Sequence, residues 1–229
     1  AYSNFEYLDI ATKVNDTFYL PHVGFLKMER KEDNKLTNNY AFMTDMSMTD
    51  WNKISTNLGT IDGQGYHIYG LGAVQFVGTN SGTIKNLALV YDSSKFENKK
   101  IDSVINTNTG TLEGIIVSGA TCEDAGLVKN NSGNITNCQN YNNVSGGENA
   151  GGIVSVMTGG KIDDCRNFGP VTSSTNGNAG GIVGKVPLKS DPTISNCANF
   201  GDVTVNYGWV GGIVGEYKLD TKNTTIDPK

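Results

Sequence analysis

Gly160-Lys161-Ile162-Asp163-Asp164-Cys165-Arg166-Asn167-Phe168-Gly169-Pro170-Val171, followed by Ala179-Gly180-Gly181-Ile182-Val183-Gly184, is the middle one of three copies of one pattern. The copy before it runs from Gly133 through Ile135, Cys138, Asn140 and Val144 to Ala150-Gly151-Gly152-Ile153-Val154. The copy after it runs from Pro192 through Ile194, Cys197, Asn199 and Val203 to Val210-Gly211-Gly212-Ile213-Val214-Gly215. The cysteines of successive copies are 27 and then 32 residues apart. Self-similarity with a period of roughly 20 to 50 residues is the mark of a stacked repeat architecture.

Within each copy the apolar words are short, rich in β-branched residues and separated by Gly, Asn, Ser and Thr. They are too short for helices and read as strands. A strand of three or four residues cannot bury its apolar face alone. Equivalent strands of successive repeats, stacked in parallel, make one continuous core. The expected fold is all-β: a right-handed, single-stranded parallel β-helix, one coil per repeat. The spacing suits a three-faced coil with loops of variable length.

Asn140, Asn167 and Asn199 share one repeat position, each followed by an aromatic residue (Tyr141, Phe168, Phe200). Asparagine tolerates the left-handed backbone of a sharp corner. Stacked about 4.8 Å apart, these amides can bond up and down a ladder. Cys138, Cys165 and Cys197 also share a position and are expected to stack inward as free thiols, since buried cysteine behaves as a small hydrophobe. Disulfide pairing among the four cysteines is the alternative.

Upstream the pattern degenerates. Ser81-Gly82-Thr83-Ile84-Lys85-Asn86-Leu87 repeats the opening word with Leu in the cysteine place, and Gly110-Thr111-Leu112-Glu113-Gly114-Ile115 repeats it with Ile. Both replacements are apolar, as an inward position requires. Asp62-Gly63 and Gln64-Gly65 mark a tight turn between two strand words. Residues 91–103 are polar and read as a loop. Phe5, Leu8, Ala11 and Val14 recur every three residues, Ser3 and Glu6 form a capping-box pattern, and Asn15-Asp16 reads as a stop. A capping helix over residues 1–16 is expected to cover the N-terminal end, where open strand edges would invite aggregation. The expected organisation is an N-terminal cap over 1–38, coils over 39–216 and a tail or second cap over 217–229.

The net charge of −5 and the pI near 5.0 argue against nucleic acid and anionic membrane surfaces as partners. No apolar run is long enough to insert into a membrane. Only 18% of residues are charged, and Gly, Asn, Ser and Thr are abundant, as in turn-rich secreted β proteins. No signal-peptide pattern opens the chain, so Ala1 reads as a mature or trimmed end of a larger multidomain product.

The upstream words and the closing words resemble a known pattern. Gly181-Ile182-Val183-Gly184 and Gly212-Ile213-Val214-Gly215 are similar to the GLUG motif of bacterial surface proteins; the first copy departs from it with Ser155 in the last glycine place. Gly59-Thr60-Ile61-Asp62-Gly63-Gln64-Gly65-Tyr66-His67-Ile68 resembles the segment that often precedes such repeats. The resemblance covers roughly residues 39–216. It implies a secreted or surface-anchored chain, like non-catalytic regions of IgA1-protease-like and adhesin-like proteins, and implies no catalytic residues.

Two functions follow as expectations. The first is a non-catalytic extracellular stalk or adhesin-like module that contacts a host or bacterial surface glycan or protein. Tyr207, Trp209 and Tyr217 are its candidate ligand contacts, because aromatic faces give large contact area at low entropic cost. Their alternative role is to cover the end of the core. The second is a polysaccharide lyase or glycoside hydrolase, which needs paired carboxylates. Asp163-Asp164 is the acidic pair inside a clear repeat, with Asp45, Asp50 and Asp62 elsewhere and only Arg30 and Arg166 as arginines. Adjacent strand residues face opposite ways, so this pair reads as turn and surface carboxylates. No cofactor is expected. His22 and His67 are too few for a histidine metal site, and no calcium-loop or phosphate-loop pattern is present.

Overall fold

Ile61, Ile84, Leu112, Ile135, Ile162 and Ile194 stand one above another, each paired in parallel with the next in register. The computed structural model that shows this describes residues 12–21, 33–48, 50–174 and 176–218. The column carries the central word of every repeat into the core, where all but Ile194 are buried. Burying a side chain of this size stabilises by roughly 1.5–3 kcal/mol. No single repeat could collect that gain without a neighbour.

Four sheets of stacked strands result. The largest has 14 strands and follows that column. A second has eight: Lys35–Leu36, Ile54–Asn57, Val77–Asn80, Ile105–Asn108, Val128–Asn131, Val154–Met157, Val183–Val186 and Val214–Tyr217. A third stacks Thr121–Cys122, Asn143–Ser145, Val171–Thr172 and Val203–Thr204, and a fourth stacks Asn149–Gly151, Asn178–Gly180 and Trp209–Gly211. All these pairings are parallel except one at the N-terminal end. Ser93–Lys95 forms a single 3-10 turn, and no α-helix occurs among the described residues. The chain is therefore all-β, built of parallel sheets with stacked strands.

Residues 12–16 do not form the expected capping helix. Thr12–Val14 is a strand, antiparallel to Thr17–Leu20. Asn15 and Asp16 both have positive φ, 47° and 62°. A two-residue turn with both residues left-handed matches the twist of a hairpin, and Asn and Asp tolerate it best among non-glycine residues. The apolar spacing that suggested a helix lies mostly in residues 1–11, outside the described residues. Thr17–Leu20 in turn pairs in parallel with Asn39–Phe42, so it lies on the stack itself.

The cysteine column is as expected. The Arg166 N–H donates to the Cys138 carbonyl (2.9 Å) and the Ala198 N–H to the Cys165 carbonyl (3.0 Å), which locks the three cysteines in register. Each thiol donates to the carbonyl two residues before it, those of Thr136, Asp163 and Ser195. All four cysteines are free, and Cys122 stands in another column, paired with Val144.

The asparagine ladder is present too. Asn140 Nδ2 donates to Asn167 Oδ1 (2.7 Å), and Asn167 Nδ2 donates to Asn199 Oδ1 (2.8 Å). The left-handed corner, however, falls three residues earlier. Asn137, Asp164 and Asn196, just before the cysteines, have φ of 53°, 50° and 54°, and Asn86 and Gly114 take the same place upstream. The ladder asparagines themselves do not have left-handed backbone, so their role is amide bonding alone. The expected turn at Gln64-Gly65 is also present, with φ of 54° and 83°. It does not make a hairpin. Thr60–Asp62 before it and His67–Leu71 after it both lie along the one long strand Thr83–Tyr91.

Candidate functional site: the last rung and its flank

The last rung is built from Thr193–Ser195, Ala198–Asn199, Val203–Thr204, Trp209–Gly211 and Val214–Tyr217. Each of these strands ends its sheet, so each has one edge without a strand partner among the described residues. Tyr207, Trp209 and Tyr217 all belong to this rung and are 70%, 68% and 47% exposed. They arrive by different routes. Tyr207 lies in the bend before Trp209. Trp209 follows Asn149 and Asn178 in the fourth sheet. Tyr217 pairs with Val186, which is fully buried one rung earlier. Its exposure thus comes from its place on the final rung.

A second row of aromatics runs up the flank. Tyr141 stacks on Phe168 with ring centroids 4.6 Å apart, and Phe168 on Phe200 at 5.0 Å, with the ring planes nearly parallel in both cases. These rings follow the ladder asparagines, so the same register that aligns the amides inside aligns the rings outside. Their faces cover one another. What the stack offers to solvent is ring edges and the free face of Phe200.

The double glycines have a specific reason. A Cβ on Gly152 would stand 2.7 Å from Asn167 Nδ2, and one on Gly181 would stand 2.6 Å from Asn199 Cβ. A Cβ on Gly126 would collide with the Asn140 amide in the same way. The asparagine of each rung therefore packs into a cradle that only glycine leaves open. Over Gly212 no atom of the described residues comes within 4 Å of the place a Cβ would take.

The carboxylates are engaged in local pairs. Asp163 accepts from Lys161 Nζ (2.9 Å), Ser195 Oγ (2.7 Å) and Asn196 Nδ2 (2.8 Å). Lys161 first, then Ser195 and Asn196, draw its pKa down to about 2. Asp164, in the left-handed corner, pairs with Arg166 at 2.8 Å. Burial pushes Asp62 up, but hydrogen bonds from the Gln64 N–H and Asn86, with Lys85 beside them, leave it below the usual carboxylate range. Asp45 accepts from the His67 N–H. A general acid must hold its proton near neutral pH, and the environments of Asp163 and Asp62 favour the ionised form. Among the described residues no three of His, Cys, Asp and Glu are grouped to hold a metal ion.

The fold is similar to the crystal structure of a "putative immunoglobulin A1 protease" from Bacteroides ovatus, with a TM-score of 0.70 and 18% identity, over 89% of this chain and 74% of that one. At that identity the likeness is one of fold. A stretch of 83 residues, 35% of this chain, is 35% identical to halomucin of Haloquadratum walsbyi. The chain spans about 1% of the length of halomucin. No family model matches the chain.

Sequence reasoning did not find the flank stack as a surface, although the aromatics were visible at one repeat position. It also missed a second ladder. Asn57 donates to Asn80, Asn80 to Asn108 and Asn108 to Asn131, each Nδ2 to Oδ1 at 2.8 Å. Its signal is an Asn two residues before the glycine of each upstream word: Asn57-Leu58-Gly59, Asn80-Ser81-Gly82, Asn108-Thr109-Gly110 and Asn131-Ser132-Gly133.

Proposed function

We propose that this chain is a non-catalytic module of a bacterial surface protein, a right-handed parallel β-helix of the GLUG-repeat kind, placed outside the cell or on its surface. It serves as a stalk or adhesin-like segment of a larger chain. Tyr207, Trp209 and Tyr217 contact a host or glycan surface. The observation that carries this reading is that one rung leaves Tyr207, Trp209 and Tyr217 exposed together with Phe200, Val210 and Ile213. Isolated exposed apolar residues are ordinary, but a contiguous group of them marks an interaction surface. The similarity to halomucin and to the Bacteroides ovatus structure is compatible with a surface-protein module.

The test is a glycan array and a pull-down from host-surface extracts with the full chain, beside Tyr207→Ala, Trp209→Ala and Tyr217→Ala. Binding that falls at least tenfold in these variants, with unchanged circular dichroism, supports the contact role. Absence of binding by the parent chain leaves a structural stalk. Release of reducing sugar from pectin, alginate or mucin glycans would instead make it an enzyme.

A further inference from the structure

We propose that Lys185, Glu216 and Asn178 form a self-modifying site, which joins the Lys185 amine to the Asn178 side chain as an amide and releases ammonia. The observation behind it is one shared oxygen. Glu216 Oε2 lies 3.2 Å from Lys185 Nζ and accepts from Asn178 Nδ2 at 3.1 Å. A single carboxylate oxygen thus touches both the amine that must lose protons and the amide nitrogen that must gain one.

The repeat explains how the three meet. Lys185 and Glu216 pair in register on neighbouring rungs. Asn178 and Lys185 lie on the strands Asn178–Gly180 and Val183–Val186, which pack together across a double-glycine corner. Asn178 Nδ2 also donates to Asn149 Oδ1 (2.8 Å), which fixes the orientation of the amide. The column neighbours are uncharged: Val156 one rung before Lys185 and Trp209 one rung after Asn178. The Lys185 and Glu216 side chains are 22% and 17% exposed, and Asn178 is buried.

Two other groups of lysine, carboxylate and asparagine lack this arrangement. Asp163 takes Lys161 on Oδ2 and Asn196 on Oδ1, and Asp62 takes Lys85 on Oδ2 and Asn86 on Oδ1. Asn196 and Asn86 are exposed, so water competes for their amides. Lys218 reaches Glu216 through Oε1 at 3.5 Å and leaves Oε2 to the other two.

The chemistry balances without an oxidant or cofactor. Proton transfer from Lys185 Nζ to Oε2 gives the neutral amine, the form of lysine that acts as a nucleophile. Its nitrogen adds to Asn178 Cγ and forms the new C–N bond. Glu216 hands the proton to Nδ2, the old C–N bond breaks, and ammonia leaves. The remaining extra proton of the attacking nitrogen passes through the same oxygen to the ammonia, so ammonium departs and the carboxylate is restored. The new bond ties the two strands together across their corner and locks one rung of the stack. It neither needs nor opposes the contact role of the aromatics.

A purely structural Glu216 would make the same contacts without reacting, as the cap of the Asn149–Asn178 amide pair where Trp209 supplies no further amide. Mass separates the two. The folded full chain is incubated at pH 8, then weighed in denaturant and mapped with trypsin. The expected mass falls short of the sequence by one ammonia, and trypsin fails to cut after Lys185. Lys185→Arg and Asn178→Ala are expected to keep the full mass. Glu216→Gln, of nearly the same shape, is expected to form the bond at least about 100-fold more slowly, within the range of general acid–base catalysis. A parent chain of full mass overturns the proposal, and this result does not depend on whether any variant folds. Ammonia loss that persists in Lys185→Arg, the mark of a succinimide at Asn176-Gly177, also overturns it. So does loss at an equal rate in urea.

Discussion

Asn57 pairs in register with Leu36, and its Oδ1 is buried with no hydrogen-bond partner among the described residues. Every later Oδ1 of that ladder accepts from the asparagine one rung before it. Leucine has no donor to offer, so the ladder begins with an open acceptor. An unmade buried hydrogen bond costs roughly 1–3 kcal/mol. The ladder carries this cost at one end only.

That asymmetry orders two substitutions. Asn57→Leu moves the open acceptor up to Asn80 and adds none. Asn80→Leu leaves the Asn57 acceptor open, leaves Asn108 Oδ1 without its donor as well, and leaves Asn57 Nδ2 with only the Gly59 and Thr83 carbonyls. Each also loses its bonds to two backbone carbonyls, those of Gly59 and Thr83 or of Gly82 and Thr111. Asn80→Leu is therefore expected to destabilise more than Asn57→Leu by about 1–3 kcal/mol. Urea unfolding at neutral pH measures the difference. Equal losses would show that the ladder is not bonded as a chain.

The cradle predicts a coupled pair. Gly152→Ala pushes a methyl into the Asn167 amide and the Gly181 carbonyl. Overpacking of this kind costs typically about 1–3 kcal/mol. Asn167→Gly costs the ladder bonds to Asn140 and Asn199 but removes the obstructing amide. The double variant is expected to be less destabilised than the sum of the two singles by more than about 0.5 kcal/mol, the limit of ordinary additivity. Additive losses would place the collision with the backbone alone.

Asp163 predicts a pH dependence. Its folded pKa, about 2, lies below the ordinary 3.8, so the folded state favours the carboxylate. The contribution is fully present above about pH 4 and is lost as pH falls through about 2, because the unfolded chain binds the proton first. Asp163→Asn removes the group that titrates. The gap in unfolding free energy between parent and variant is expected to be constant from pH 7 to pH 4 and to shrink below it. A gap independent of pH down to 2 would contradict the assigned contacts from Lys161, Ser195 and Asn196.

What was legible from the residues and what was not divides along a physical line. The columns of Ile135, Cys138 and Val144 repeat because an inward position has the same neighbours in every rung, so selection for fit writes the same letter at a regular interval. The left-handed corner at Asn137, Asp164 and Asn196 was harder to place. Asparagine serves both as a corner residue and as a ladder residue, and composition cannot separate the roles. The hairpin at Asn15-Asp16 was misread because a period of three in a short apolar run fits a helix as well as it fits chance, and the same two residues can stop a helix or turn a hairpin. The upstream ladder was hidden by the uneven spacing of its rungs. Tyr217 reads as an exposed contact from its place near the end of the repeats, and its column alone would say the opposite. Its column is buried at Val186, and only its place on the last rung brings it to solvent.

The thiols close the set. Hydrogen bonding to Cys138, with burial adding to it, pushes the Cys165 thiol well above its usual pKa, and burial does the same for Cys122. The thiolate is the form that reacts, so both side chains are held in the unreactive state and shielded from reagent as well. The hydrogen bond with Cys165, and then burial, push the Cys197 thiol well above its usual pKa too, so its half-buried position gives access without giving thiolate. At pH 8 the folded chain is expected to react slowly with Ellman's reagent at all four cysteines. In denaturant all four titrate. Cys165→Val keeps the column apolar at similar volume and is expected to cost less than Cys165→Ser, whose hydroxyl keeps a polar group in a buried column while filling less space. Fewer than four thiols after unfolding, without reductant, would mean that the column is cross-linked.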